Sequence, residues 1–432
     1  MNEPIEQERT PQQARVDQAL TILNFARRAV ETGKPADQLL RDAFKQNRQF
    51  GSRDRRFYGD LVFSYFRWAG WIDPLAAGSV QQSAALAVWL DAETTTPETA
   101  LLAEHLPPAL TQQGPLGALS VAAKAERLAA AFDTQPPDPL DLLPGWLPEI
   151  WPNDPAHPAA WPDIVEAFQH RPPTWLAVPP ASVNDTLSAL SGLGKRAEAH
   201  PVFAGAVAVY APFHLPELLK KVPGIIIQDL ASQAVGRLCQ ARSGEHWWDA
   251  CAGSGGKTLH LAAGVGHKGH VFATDDRPGI LKELRRRTQR RFADAVRIGR
   301  MDAKTRIPEE APLDGVLLDA PCANIGTWHR NPDARWRTTV EDIAALAEGQ
   351  SEMLRNSARA VKPGGVLVYA VCSMSHAETL GAVGKFLETH PQFTREPIPH
   401  PLHPDEAVEY CWIKPWEHDC NGMFAVRLKR TT

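Results

Sequence analysis

The sequence predicts an α/β fold: a largely parallel sheet covered by helices on both faces, preceded by an all-α region and a small α+β module. Three observations carry this. From about Gly224 onward, short apolar runs alternate with helical stretches, and connections of that length join parallel strands through crossover helices. From about Gln12 to Ala130, apolar residues recur every three or four positions, which puts one apolar stripe on each of several helices. Between them, nine prolines crowd the stretch from Pro136 through Pro155 to Pro162. Proline lacks an amide donor and restricts its predecessor, so no long helix survives there. A length of 432 residues suits roughly three domains. The expected division is residues 1–140, 141–223 and 224–432.

In the first region the stripes run through Ala19, Leu20, Leu23, Ala26 and Val30, then Phe57, Leu61, Tyr65 and Trp68. Arg53, Asp54, Arg55 and Arg56 lie between two stripes. They read as a solvated helix start capped by Ser52 or Asp54, or as a phosphate contact. In the middle region residues 175–178 and 202–210 read as strands and 183–193 as a helix. In the last region strands are expected at 247–250, 271–274, 296–301, 314–319 and 366–371. Helices are expected at 256–263, 279–291 and 340–361.

Composition narrows the function. Apolar residues at 44 % and charged residues at 22 % are globular values and exclude wholesale disorder. The net charge is −4, so any nucleic acid must be held by a local patch. No apolar run approaches the ~18 residues of a membrane span. The start, MNEPIEQERTPQQ, has no secretory pattern. A cytoplasmic protein without membrane contact is expected. The six cysteines, Cys239, Cys251, Cys322, Cys372, Cys411 and Cys420, include no CxxC pair. Reduced thiols and no metal are therefore expected.

The run Asp249-Ala250-Cys251-Ala252-Gly253-Ser254-Gly255-Gly256-Lys257-Thr258 leads from a strand into a helix through glycines. Such a turn lets backbone approach a ligand and aims free amides at an anionic group. It is neither GxGxxG nor a P-loop, and alone it also reads as a tight strand–helix turn. Asp275 ends the next strand, where an acid can accept from both ribose hydroxyls, and Asp302 follows the third, where it can accept from an adenine amine. Acids at three successive strand ends describe a nucleoside pocket. NAD and S-adenosylmethionine both suit it.

Two cysteines also fall at strand ends: Cys322 after Asp319-Ala320-Pro321, and Cys372 in Val371-Cys372-Ser373. With Gln228-Asp229-Leu230-Ala231-Ser232-Gln233 and Asn331-Pro332-Asp333-Ala334-Arg335-Trp336, the chain resembles the Sun (Fmu) type RNA cytosine-C5 methyltransferases, among them the bacterial 16S rRNA enzymes. Residues Gly51 to Trp68 resemble the NusB-like RNA-binding domain these carry. The resemblance implies a Rossmann-like methyltransferase domain using S-adenosylmethionine, contacted by Cys251, Ala252, Gly253, Ser254, Gly255, Gly256, Lys257, Asp275, Asp302 and Asp319. It implies Cys372 as the nucleophile on cytosine C6, Asp319 on the base edge, and Cys322 as the group assisting elimination. Lys257 also reads as a structural partner of a nearby carboxylate, and the Cys251 thiol as packing.

A monomer acting on RNA is implied, with rRNA as the substrate. The alternatives are tRNA, or a non-catalytic NusB-like RNA-binding factor. His329, Arg330, Arg335, Trp336 and Arg337 are expected RNA contacts, with Trp328 or Trp336 stacking on a base. The run Arg285, Arg286, Arg287, Arg290 and Arg291 reads as a solvated face. The chain departs from the family at Ser254, usually proline. It also departs at Ala323-Asn324-Ile325-Gly326, usually Ser-Gly-Thr-Gly, and at Trp175 to Pro179, where an Arg-Val-Asn strand is usual. At Asn421-Gly422-Met423-Phe424 the family usually has Asp-Gly-Phe-Phe.

Overall fold

A computed structural model describes residues 10–154, 158–210, 212–289 and 291–431. The expectations for the first nine residues, Pro155 and Arg290 fall outside these. The chain forms two compact units: Met1–Glu149 with Ala159–Arg171 and Trp328–Thr338, and Ile150–Pro158 with Pro172–Thr327 and Thr339–Thr432. No helix among the described residues is long and apolar enough to cross a membrane.

The first unit is all helical, with long helices at Pro11–Glu31, Ser52–Ala76, Val80–Asp91 and Val121–Phe132. Hydroxyls of Thr10, Ser79 and Ser120 cap three of them by accepting an amide of the first turn. Gly51 rather than Ser52 or Asp54 is the N-cap of the helix Ser52–Ala76, and Asp54 accepts the Gly51 amide at 2.9 Å. The cluster after it is mostly paired: Asp54 with Arg15, Arg53 with Glu98 and Arg56 with Asp60. The expected stripes are buried except at Leu20 and Phe57, which are partly covered, and Leu23, Leu61 and Trp68 are closed to solvent.

Residues 328–338 pack into this helical unit, which overturns part of the expected RNA surface. Arg335 is 1 % exposed and donates to the carbonyls of Leu142 and Phe168, each at 2.9 Å. A buried guanidinium needs such acceptors, because uncompensated burial of a charge is costly. Trp336 donates to the Phe66 carbonyl at 2.7 Å, and Asp333 pairs with Arg337 and accepts the Ala36 amide. Trp328 and His329 are buried as well. Arg335, Trp328 and His329 therefore serve packing, not RNA.

The second unit opens with a small antiparallel sheet of β1 (Thr174–Ala177), β2 (Ala197–Ala199), β3 (Ala206–Val209) and β4 (Ile226–Ile227), ordered β2-β3-β1-β4. The strand expected from 202 starts only at Ala206, because His200 Nδ1 accepts the amides of Val202 and Phe203 and turns the chain. Leu176, Leu190, Val207 and Leu218 form the core of this module.

The main sheet follows: β5 (His246–Asp249), β6 (His270–Asp275), β7 (Val296–Arg300), β8 (Leu313–Asp319), β9 (Val361–Val371), β10 (Phe393–Arg395), a separate pair β11 (Ile398–Pro399) and β12 (Ala407–Val408), then β13 (Tyr410–Ile413) and β14 (Met423–Arg430). Its order is β10-β14-β9-β8-β5-β6-β7, with β13 also on β14. The five strands from β9 to β7 are parallel, and β14 runs against β9. This is the expected Rossmann-like α/β class. Chain order reverses between β5 and β8, and a crevice opens at the carboxyl ends of strands at such a switch. Asp249 and Asp319 end those two strands.

Candidate active site

The glycine turn after β5 is shaped by what lies beneath it. Gly255 has φ +89°, and a Cβ there would lie 2.3 Å from Leu284 Cδ1, so only glycine fits. The helix Gly256–Val265 begins immediately after. Arg287 donates to the carbonyl and hydroxyl of Ser254 at 3.1 and 3.0 Å and so pins the turn from the next helix. That removes Arg287 from the expected solvated face, where Arg286 does pair with Glu283.

The turn is one wall of a cavity of about 640 Å³ that also reaches Asp249, Asp275, Asp302, Asp319, Cys322 and Cys372. The volume suits a nucleoside-sized ligand. Asp249 is buried; Oδ2 accepts from Thr258 at 2.6 Å, while Oδ1 has no hydrogen-bond partner. Burial pushes this carboxyl up to about 7. Asp275 accepts from the Gly253 amide at 2.9 Å and from Arg277 through Nε and Nη2, both at 2.9 Å. Burial alone would raise Asp275, but the Arg277 hydrogen bonds outweigh it and hold the group below its ordinary value. Asp302 accepts the Lys304 amide at 2.9 Å, capping its own turn while lining the cavity. The Cys251 thiol is held well up by burial and stays protonated.

The parallel pairing of β8 with β9 brings the two strand-end cysteines together. Cys322 Sγ and Cys372 Sγ are 3.4 Å apart. Hydrogen bonding to Cys372, together with burial, raises the Cys322 thiol well above its usual range. Lys257 donates to Asp319 Oδ2 at 2.7 Å, the structural pairing the sequence allowed. Burial would lower Lys257, but the Asp319 charge prevails and keeps it a cation.

Asn324 replaces the family's glycine in the loop after Cys322. Its φ of +58° is one that asparagine tolerates better than most residues. Its amide donates to the Cys322 carbonyl at 2.7 Å, and its Oδ1 accepts from the Cys372 thiol at 3.0 Å. At Gly326 a Cβ would lie 2.1 Å from the Gly422 carbonyl oxygen. The Gly422 amide donates to the Gly326 carbonyl at 2.7 Å, which brings Asn421 to the cavity wall.

Glu378 joins the two cysteine loops, and no motif in the sequence singled it out. It is fully buried. One carboxylate oxygen accepts the Ala323 amide at 2.8 Å and Gln350 Nε2 at 3.0 Å. The other accepts the Ser373 and Ser375 hydroxyls. Tyr369 OH donates to the Glu378 carbonyl at 2.7 Å. Since Ala323 follows Cys322 and Ser373 follows Cys372, one side chain sets the spacing of both sulfurs. Arg277, Arg287 and Asn324 were likewise not assigned to the site by sequence. The only signal for Asn324 was its departure from glycine.

In the helical unit, Arg41, Phe44, Lys45, Arg48 and Arg55 line a groove of about 540 Å³ with no acid in its wall. Arg55 lies over the Phe44 ring at 5.7 Å.

Residues 237–429 match the family described as 16S rRNA methyltransferase RsmB/F. The ribosomal RNA small subunit methyltransferases B of Yersinia pseudotuberculosis and Yersinia pestis are 35 % identical over 257 residues, which is 58 % of this chain. The match spans 59 % of the length of those relatives. Among solved structures, PH0851 aligns over 98 % of this chain and 99 % of its own, with TM-score 0.70 and 23 % identity. NSun6 from Pyrococcus horikoshii, solved with SFG, aligns over 63 % of this chain and 94 % of its own, with TM-score 0.52 and 17 % identity. These structures share the fold. Residues 237–429 are thus similar to the RsmB/F methyltransferases, the Sun (Fmu)-like family that the motifs of this chain resemble.

Proposed function

We propose that this protein transfers a methyl group from S-adenosylmethionine to carbon 5 of a cytosine in small-subunit ribosomal RNA. The observation that carries the reading is the pair of sulfurs 3.4 Å apart at the edge of the nucleoside-sized cavity. Methylating an amine or an oxygen requires no covalent thiolate, whereas C5 of cytosine is a poor nucleophile until a group adds at C6. The names of the Yersinia relatives support rRNA as the substrate class.

The cavity suits the cofactor chemically. Asp249 Oδ1 is a buried acceptor without a partner, suited to a ligand ammonium. Asp275 supplies acceptors for ribose hydroxyls once the half-exposed Arg277 yields them, and Asp302 an acceptor for an adenine amine. When bound, S-adenosylmethionine supplies the electrophilic methyl group. Cys372, as thiolate, adds to C6 of the base. Asp319 accepts from the exocyclic amine on the base edge beside N3, and the Lys257 ammonium that holds it offsets the negative charge that builds on the ring. After transfer to C5, the C5 proton passes to Cys322 acting as a thiolate, its bonding pair forms the C5–C6 double bond, and the C6–S bond breaks with its electrons returning to Cys372, which restores the aromatic ring.

The groove of Lys45, Arg48, Arg55 and Arg41, the last of which also pairs with the exposed Asp37, takes the role the sequence gave to the buried Trp328, His329 and Arg335, as a phosphate-binding surface for RNA beside an aromatic ring. Incubating the protein with S-adenosylmethionine and 16S rRNA from a strain lacking the gene should create a cytosine resistant to bisulfite. Resistance at no cytosine would reject the reading. The triple variant Arg41→Ala, Lys45→Ala, Arg48→Ala should require more RNA for half-maximal methylation and show a flatter salt dependence, with cofactor affinity unchanged.

Calorimetry should also show Asp275→Ala weakening cofactor binding by about 1.5–3 kcal/mol, roughly tenfold to a hundredfold. Arg277→Ala should not weaken it, because Arg277 competes for the same oxygens. Weaker binding in the arginine variant would mean that Arg277 itself holds the ligand.

A further inference from the structure

We propose that His403, His418 and Glu417 form a binding site for a divalent cation of the zinc class, apart from the cysteine-lined cavity. His403 Nε2 and His418 Nε2 face each other at 3.1 Å. Glu417 Oε2 lies 3.9 Å from His403 Nε2, and one ligand atom from each of the three residues lies within 4.8 Å of the others. Two nitrogens on one tetrahedral zinc, with bonds of ~2.0–2.1 Å, stand roughly 3.3 Å apart. The observed spacing is therefore within a few tenths of an ångström of what a shared metal imposes. Two imidazoles and a carboxylate make a donor set suited to zinc, with a fourth position for water. The partial exposure of His403 and Glu417 leaves room for that water.

The surroundings orient these ligands. Lys414 Nζ takes the other oxygen of Glu417, Oε1, at 2.9 Å, which turns Oε2 toward the histidines. His400 Nδ1 accepts the amides of Leu402 and His403, and its Nε2 lies 3.2 Å from the Trp412 carbonyl, so His400 shapes the turn and is not a ligand. The His200 ring lies 5.6 Å from that of His418 and supports its other side. The His-x-x-His spacing of His400-Pro401-Leu402-His403 supplies only one of the ligands, His403, and the other two come from a short helix, Pro415–His418. A cation there would clip the two segments together just before Asn421 and Gly422, which build the cavity wall. Its role would be structural, and the proposal does not depend on the reaction proposed above.

The test uses the full chain, stripped with EDTA and titrated with Zn²⁺ by calorimetry, then with Co²⁺ by visible absorption. One Zn²⁺ per chain is expected, with a tetrahedral Co²⁺ spectrum and a higher melting temperature when zinc is added. His403→Ala and His418→Ala should each abolish uptake and the zinc-dependent rise in melting temperature. Glu417→Gln, which keeps the packing, should weaken uptake, and Lys414→Met should weaken it by about tenfold as the loss of an orienting partner does. No stoichiometric uptake by the unaltered chain would overturn the proposal and leave an N–H···N contact between the two rings. Uptake that persists in both histidine variants would overturn it too.

Discussion

Cys322→Ala should accumulate a covalent protein–RNA adduct that survives denaturing electrophoresis, while Cys372→Ala should form none and lose methylation altogether. The asymmetry follows from the two environments. Cys322 is buried, and its thiol is held well up by hydrogen bonding to Cys372 and by burial, which disfavours it as the attacking thiolate. Cys372 is less buried and so more accessible to a base entering the cavity. Attack and methylation should therefore proceed without Cys322, and release should fail. The double variant should form no adduct, which separates trapping from simple misfolding. An adduct in Cys372→Ala instead would reverse the two roles. Absence from both single variants, with cofactor binding intact, would remove the covalent step from the proposed mechanism.

Glu378→Ala should depress methylation by about a hundredfold or more while leaving cofactor affinity within a few-fold of the unaltered chain. The carboxylate touches neither cavity nor sulfur, so the loss would act through position. An ångström of misplacement between reacting groups costs on that scale. Removing the acceptor also strands the Ala323 amide, Gln350 Nε2 and the hydroxyls of Ser373 and Ser375 in a dry interior. Each stranded donor costs about 1–3 kcal/mol, so denaturant unfolding should show a loss of several kcal/mol. Glu378→Gln, which keeps an acceptor oxygen for one loop and sets an amide NH2 against the donors of the other, should recover part of both. The rate of alkylation of Cys372 gives a readout independent of methyl transfer, and it should change in Glu378→Ala. An alanine variant with full activity would show that the cysteine loops hold their spacing without Glu378.

Strand ends and helix faces were legible in the sequence because they are local. Periodicity of two or of three to four residues, glycines before a helix, and an acid or cysteine closing an apolar run all lie within a dozen residues of one another. From these came the parallel sheet, the glycine turn, the acids Asp249, Asp275, Asp302 and Asp319, and the placement of Cys322 and Cys372 at neighbouring strand ends. What the tertiary structure decided were questions of which distant group meets which. Arg335 looks like an RNA contact until the carbonyls of Leu142 and Phe168 close around it. Arg287 looks like one more solvated cation until it reaches Ser254. Asp275 reads as an open acceptor until Arg277 occupies it. Glu378 carries no spacing signal at all, and the His-x-x-His spacing of His400 and His403 does not point to His418. A charged or polar side chain is given its role by whether it finds water, a partner or a ligand, and that depends on segments far apart in the chain.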